Sequence, residues 1–352
     1  MTPTRHRIHP LTLPQAGIPD GSVQLIVTSP PYPMIRMWDG QFGAADAETA
    51  RALEEGDGVR AFDLMHRTLE PVWMECRRVL GDGGFLCVNI GDAVRTVGGN
   101  FRLYSNHSRV TEILAALGFE TLPVILWRKT TNAPNKFMGS GMLPAGAYPT
   151  LEHEYILIFR KGDKRVFITA ADRRRRRESA IFWEERNRWF SDLWELQGRR
   201  QEGETGGARK RSGAFPLELA YRLVCMFSLR GDLVLDPFLG TGTTLAAAAA
   251  AGRNGAGCEI DPVLAESVPG ALLKEPPRMR AVVRSRLERH AAFVRDEEAR
   301  GRSFGYRNGP HGLPVVSAQE RDLVLEMVRE VRRTGIWTLE AEYETLERAE
   351  SS

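Results

Sequence analysis

Ser29-Pro30-Pro31-Tyr32 sets a hydroxyl, two prolines and a phenol ring directly after the apolar run Val23 to Val27. The run reads as a buried strand, and the prolines stop it because neither can donate to a ladder. Each proline fixes its own φ and drives its predecessor extended, so the loop is stiff and its carbonyl oxygens are free. Such a loop can hold an exocyclic amino group by its hydrogens and stack the base on Tyr32. The plainer reading is a proline-terminated strand in a structural turn.

A second constellation lies far downstream. Asp236-Pro237-Phe238-Leu239-Gly240-Thr241-Gly242-Thr243-Thr244 reads as the end of a strand, a glycine loop and a helix start. The next strand ends in Cys258-Glu259-Ile260-Asp261. Strand, Gly-x-Gly, helix and strand-terminal Glu259 form the nucleotide-binding half of a Rossmann-like sheet, the carboxylate suiting ribose hydroxyls. Leu245 stands where a dinucleotide fingerprint needs a third glycine, and no lysine follows the loop, which disfavours NAD and ATP. Asp236-Pro237-Phe238 ahead of the glycines favours a ligand with no pyrophosphate but with an ammonium and a sulfonium. S-adenosyl-L-methionine fits that description.

The elements that must position these groups follow from periodicity and breakers. A helix is expected over 63–80, closed by Gly81-Asp82-Gly83-Gly84, then a strand Phe85 to Ile90. Asn89 and Asp92 at its end either help hold base or cofactor or cap the turn. Met34 to Arg60 reads as an exposed loop, either a flap over the site or plain surface. A helix over 106–117 precedes strands 121–127 and 154–160, with a long loop from Lys129 to Leu151 between them. Lys161 to Ser212 is basic and irregular: Arg173, Arg174, Arg175, Arg176 and Arg177 run together, with Trp183, Trp189, Phe190 and Trp194 interleaved. A basic run alone is a solvated face; mixed with aromatics it suits phosphate and base contacts. A helix starts at Phe215 and reaches about Leu229. From Val263 onward the chain reads as charged and helical, with helices expected over 277–300 and from Ser317.

The chain has 352 residues, 42% hydrophobic and 26% charged, enough for one large domain or a catalytic domain with appendages. No stretch has the apolar length of a membrane span, and the first ten residues lack a signal-peptide core. The four cysteines have no paired spacing, which argues against structural zinc and disulfides and for a cytoplasmic setting. A net charge of +3 permits a polyanion partner without requiring one.

Thr28-Ser29-Pro30-Pro31-Tyr32 together with Asp236 to Thr244 resembles the amino-methylating DNA methyltransferases. The order, catalytic motif first and cofactor motif last with a basic insertion between them, is that of the permuted β class found in bacterial restriction–modification systems. The resemblance covers roughly residues 20–265 apart from the insertion. It implies a circularly permuted Rossmann-like fold: a catalytic half over 1–160, a target-recognition insertion over 161–212, a cofactor half over 213–265 and a helical extension over 266–352. Ser29, Pro30, Pro31 and Tyr32 would be catalytic. Thr28, Phe215, Asp236, Pro237, Phe238, Gly240, Thr241, Gly242, Thr243, Thr244 and Glu259 would bind S-adenosyl-L-methionine. Arg36, Lys129, Asn132, Lys136 and the Arg173–Arg177 run would contact double-stranded DNA. Serine before Pro-Pro accompanies cytosine-N4 methylation in such enzymes and aspartate accompanies adenine, so cytosine is the expected base and adenine the alternative. A cognate restriction endonuclease and a homodimer are the partners the resemblance suggests. A non-catalytic DNA-binding subunit on the same scaffold is the competing class.

Overall fold

The computed structural model describes residues 2–129, 138–139, 142–196 and 215–346. Ten strands form one sheet: β1 Thr4–His9, β2 Val23–Thr28, β3 Leu80–Ile90, β4 Phe119–Arg128, β5 His153–Lys161, β6 Leu193–Glu195, β7 Leu233–Asp236, β8 Asn254–Cys258, β9 Glu326–Gly335 and β10 Thr338–Thr345. Their spatial order is β6-β4-β5-β3-β2-β7-β8-β1-β10-β9. The central five, β3-β2-β7-β8-β1, are parallel. β5 runs antiparallel between β3 and β4, and β10 runs antiparallel beside β1.

Side chains alternate across this sheet with the period of two that a pleat imposes. Leu25, Val27, Cys87, Ile156 and Ile158 enter one core, and Ile26, Leu86, Val88, Leu157 and Phe159 enter the other. The helix Gly58–Val79 covers the second face, while Leu217–Phe227 and Thr243–Ala250 cover the first. Short side chains let the last of these lie close to the sheet. A Cβ at Gly255 would fall 2.6 Å from Leu245 Cδ2, and one at Gly257 would fall 2.5 Å from Leu239 Cδ1. These glycines are therefore where Leu245 and Leu239 seat on β8.

Several expectations change. Met34 to Arg60 is not a loop: it holds helices Asp39–Ala45 and Ala47–Glu54, the second capped by Asp46 accepting from Glu48 N. Among the described residues the tail is α-helical only through Pro262–Leu272 and Pro276–Ala299. The helix expected from Ser317 is the single 3-10 turn Ala318–Glu320, with its capping box between Ser317 and Glu320, and beyond it β9 and β10 form a hairpin that extends the sheet. The alternation Leu339, Ala341, Tyr343 between glutamates and threonines is a strand signal that the charge-rich composition obscures. Interleaved aromatics of the insertion mostly build core: Phe182, Trp189 and Trp194 are buried, Trp194 Nε1 donating to Trp189 O at 3.0 Å. β6 from that insertion pairs parallel with β4, so the four chain segments share one sheet.

Candidate active site at the carboxyl edge of the sheet

The strand order sets β2 between β3 and β7, so the loops after β2 and β7 open on the same edge, where open α/β sheets gather ligands. One buried carboxylate ties the two loops together. Asp236 Oδ1 accepts from Thr28 Oγ1 at 2.6 Å and from Phe238 N at 3.0 Å, and its Oδ2 accepts from Thr244 Oγ1 at 2.6 Å. Burial pushes the Asp236 carboxyl up to about 6, against those three hydrogen bonds. Thr28, Asp236 and Thr244, expected on the cofactor, are thus turned into the protein and brace the loop. Phe215 is buried in the core as well.

The glycine loop itself fits a ligand at the helix start. Gly240 and Gly242 have φ of 54° and 85°, and a Cβ at Gly242 would fall 2.8 Å from Val268 Cγ1. Thr241 Oγ1 is buried with no partner among the described residues, a hydroxyl left for something else to satisfy. Glu259, after β8, accepts from Gly240 N at 2.8 Å and Asp261 N at 2.9 Å, and burial raises its carboxyl above the usual range despite them. Its position beside the first loop glycine suits a ribose. Phe238 is half-buried and meets Trp73 edge-on at 5.8 Å. Pro237 lies within the same loop, and Thr243 begins the helix that follows it.

On the other side of β2 the catalytic loop meets residues that its own sequence does not announce. Ser29 Oγ donates to Tyr32 Oη at 3.1 Å, and Tyr32 Oη donates to Glu154 Oε2 at 3.0 Å. Asn89 Nδ2 donates to both, at 2.8 Å and 2.7 Å. Lys129 Nζ closes an ion pair on Glu154 Oε1 and lies over the Trp127 ring at 4.7 Å. Burial first, and then the Glu154 charge, holds the Tyr32 phenol well above its ordinary titration range, so it stays protonated. Glu154 arrives because β5 begins where β3 ends, with Tyr155 opposite Ile90. Nothing local in His153-Glu154-Tyr155 signals this; only an antiparallel strand inserted next to β3 could have. A Cβ on Gly91 would come within 3.2 Å of both Tyr32 Cε2 and Glu154 Cγ, so glycine leaves room there. Asp92 instead caps the helix that follows, accepting from His107 N at 3.1 Å and pairing with its ring.

Arg36 is exposed on the turn Arg36–Trp38 just after the catalytic loop. Asn132 and Lys136 lie outside the described residues. The Arg173–Arg177 run sits elsewhere. It forms the exposed helix Ala170–Glu178, whose Arg175 approaches Asp232 at 3.7 Å, beside Arg165 on the same carboxylate at 2.6 Å. Asp232 precedes β7, so this helix lies at the amino edge of the sheet, roughly 13 Å of strand away from Asp236.

The model of the N6/N4-type DNA methylase family matches residues 23–268. The type II methyltransferase M.MthZI of Methanothermobacter thermautotrophicus is 45% identical over 333 residues, 94% of this chain and 92% of its own. M.MjaI of Methanocaldococcus jannaschii, also a type II methyltransferase, is 48% identical over 266 residues, 71% of this chain and 86% of its own. Among solved structures, TTHA0409 of Thermus thermophilus complexed with S-adenosyl-L-methionine is similar with a TM-score of 0.58 and 33% identity, over 77% of this chain and 95% of that one.

Proposed function

We propose, from the premise that this chain belongs to the N6/N4 DNA methylase family, that it methylates the N4 amino group of cytosine at a specific site in double-stranded DNA. In coarser terms the chain is an S-adenosyl-L-methionine-dependent DNA amino-methyltransferase. The observation that carries the choice of base is Ser29 itself, the serine before Pro-Pro that accompanies cytosine-N4 methylation in the enzymes this chain resembles. Its one proton is given to Tyr32, so the lone pairs of this small neutral hydroxyl are left to accept. With the Pro30 carbonyl it supplies two acceptors for the two hydrogens of an exocyclic amine.

The target must leave the duplex first, because its amino group is paired inside the stack. Tyr32 then offers a ring for the extruded base, held in place by Ser29, Asn89 and Glu154. Accepting both amino hydrogens draws the nitrogen lone pair out of conjugation and turns it toward the glycine-loop side of the site. The backbone around Gly240, Thr241 and Gly242, with Glu259, would hold the cofactor there. When bound, it supplies an electrophilic methyl group on a sulfonium sulfur. Positioning and electrostatics carry the rate, with no covalent enzyme intermediate. Arg36, exposed just after the Ser-Pro-Pro-Tyr loop, would contact the DNA, and a cognate endonuclease fits a relative of type II methyltransferases.

Expression in a host without DNA methylation, followed by modification-sensitive sequencing of its genome, tests the reading. N4-methylcytosine at one short motif is expected. N6-methyladenine at a motif would overturn the base, and unmodified DNA alongside cofactor binding by the purified protein would favour a non-catalytic role.

A further inference from the structure

The hydrogen bonds from Ser29 to Glu154 have a direction that follows by elimination. Ionised Glu154 only accepts, so Tyr32 Oη donates to it. Asn89 Nδ2 only donates, and its hydrogens go to Tyr32 Oη and Glu154 Oε2. With its single proton committed, Tyr32 Oη must accept from Ser29. A continuous path of three oxygens, with steps of 3.1 Å and 3.0 Å, therefore leads from the hydroxyl that faces the target amine to a carboxylate.

We propose that this path is a proton relay, and that Glu154 is the final acceptor of the proton the target amine must lose. The proposal rests on the amino-methylation reading above and holds for either base. An exocyclic amine that has gained a methyl group carries a positive charge and one proton too many. In the relay its N–H bond breaks and that proton passes to Ser29 Oγ. Ser29's own proton moves to Tyr32 Oη, and Tyr32's moves to Glu154 Oε2. The electron pair of the broken N–H bond stays on nitrogen, which becomes neutral, and the carboxylate becomes a carboxylic acid. Ser29 and Tyr32 end with the protons they need for the next cycle. Lys129, on the far carboxylate oxygen, balances the charge of the resting site and is 34% exposed, which gives the acid a route to solvent. Tyr32 thus has a role beyond stacking. Glu154 acts through Tyr32 and Ser29 and is a positioning and proton-accepting residue that touches no reacting atom.

Single-turnover methyl transfer by the full-length protein on a duplex bearing its site tests this. Y32F keeps the ring and cuts the path; E154Q keeps an acceptor oxygen for Tyr32 but takes no proton. Each is expected to slow transfer about a hundredfold, with the double variant no slower than the slower single one. Dissociation constants for cofactor and DNA should stay within about threefold of wild type. A solvent deuterium effect on the wild-type rate should vanish in both variants, and E154D should recover part of the rate. E154Q transferring within about threefold of wild type would overturn the relay, as would a rate loss matched by lost affinity, which would reduce Glu154 to a prop for Tyr32. If E154Q does not fold, Y32F and E154D carry the same comparison. The base made by the wild type is read separately: N6-methyladenine would correct the cytosine reading and leave the relay standing.

Discussion

Asp236 accepts on both carboxylate oxygens from Thr28, Thr244 and Phe238, and it lies between the Ser-Pro-Pro-Tyr loop and the glycine loop. Burying it has a cost. The folded carboxyl is pushed up to about 6, above the ordinary value near 3.8, so between those values the folded state binds the proton more tightly than the unfolded chain. The group therefore favours folding most at low pH, and that advantage is lost as pH rises from about 4 to about 6, by of order 3 kcal/mol. Urea unfolding of wild type and D236N across this range should show their difference in stability shifting toward D236N as pH rises. A difference independent of pH would show that Asp236 titrates normally. Thr28→Val keeps the shape and removes one donor from the buried carboxylate, which should cost about 1–3 kcal/mol, measured as a lowered Tm. An unchanged Tm would mean that water replaces the hydroxyl.

At the scale of elements, the basic helix Ala170–Glu178 is the clearest case of a sequence signal whose position decides its meaning. Arg174 pairs with Glu178, Arg175 with Asp172 and Asp232, and Arg177 with Asp322, while Arg176 lies over the Phe167 ring at 4.7 Å. The contacts to Asp232 and Asp322 fasten the helix to its neighbours, the first of them at the amino edge of the sheet, and the Ser-Pro-Pro-Tyr loop opens on the other. Replacing Arg173 and Arg176 together by Gln should leave DNA affinity at fixed salt within about twofold and the salt slope unchanged. A slope reduced by one or more would return this helix to the DNA interface. The catalytic loop and the glycine loop are legible from the sequence because prolines and glycines dictate backbone locally, whatever the rest of the chain does. Glu154 is not, and the sequence marks Asn89 only as a strand-end residue and Lys129 only as a DNA contact, without bringing the three together. They converge through the antiparallel registers of β5 with β3 and of β5 with β4, non-local facts that no spacing in the chain encodes.

Across the whole molecule, one sheet collects strands from both ends of the chain: β1 pairs with β8 and β10, joining residues 4–9 to 254–258 and 338–345. β2, β3 and β7 are readable from their apolar runs, and so are β4 and β5, whereas the charge-rich β9 and β10 read as part of a helical tail. A buried ion pair locks the insertion to the tail. Glu185 Oε1 and Oε2 accept from Arg286 Nε and Nη2, both at 2.7 Å, and Arg286 Nη1 donates to Tyr221 Oη at 3.0 Å. Glu185→Gln leaves the Arg286 charge uncompensated and should cost about 3–5 kcal/mol of unfolding free energy. A loss under about 1 kcal/mol, as for an exposed pair, would show that the pair is solvated. The most direct measurement is on Ser29→Ala, because the two motifs are held to form one site with separate tasks. Cofactor affinity, by equilibrium dialysis, should stay within about twofold, while single-turnover methylation of DNA should fall by about a hundredfold or more. Equal losses in both, or a variant as fast as wild type, would contradict Ser29 as the hydroxyl that receives the target amine.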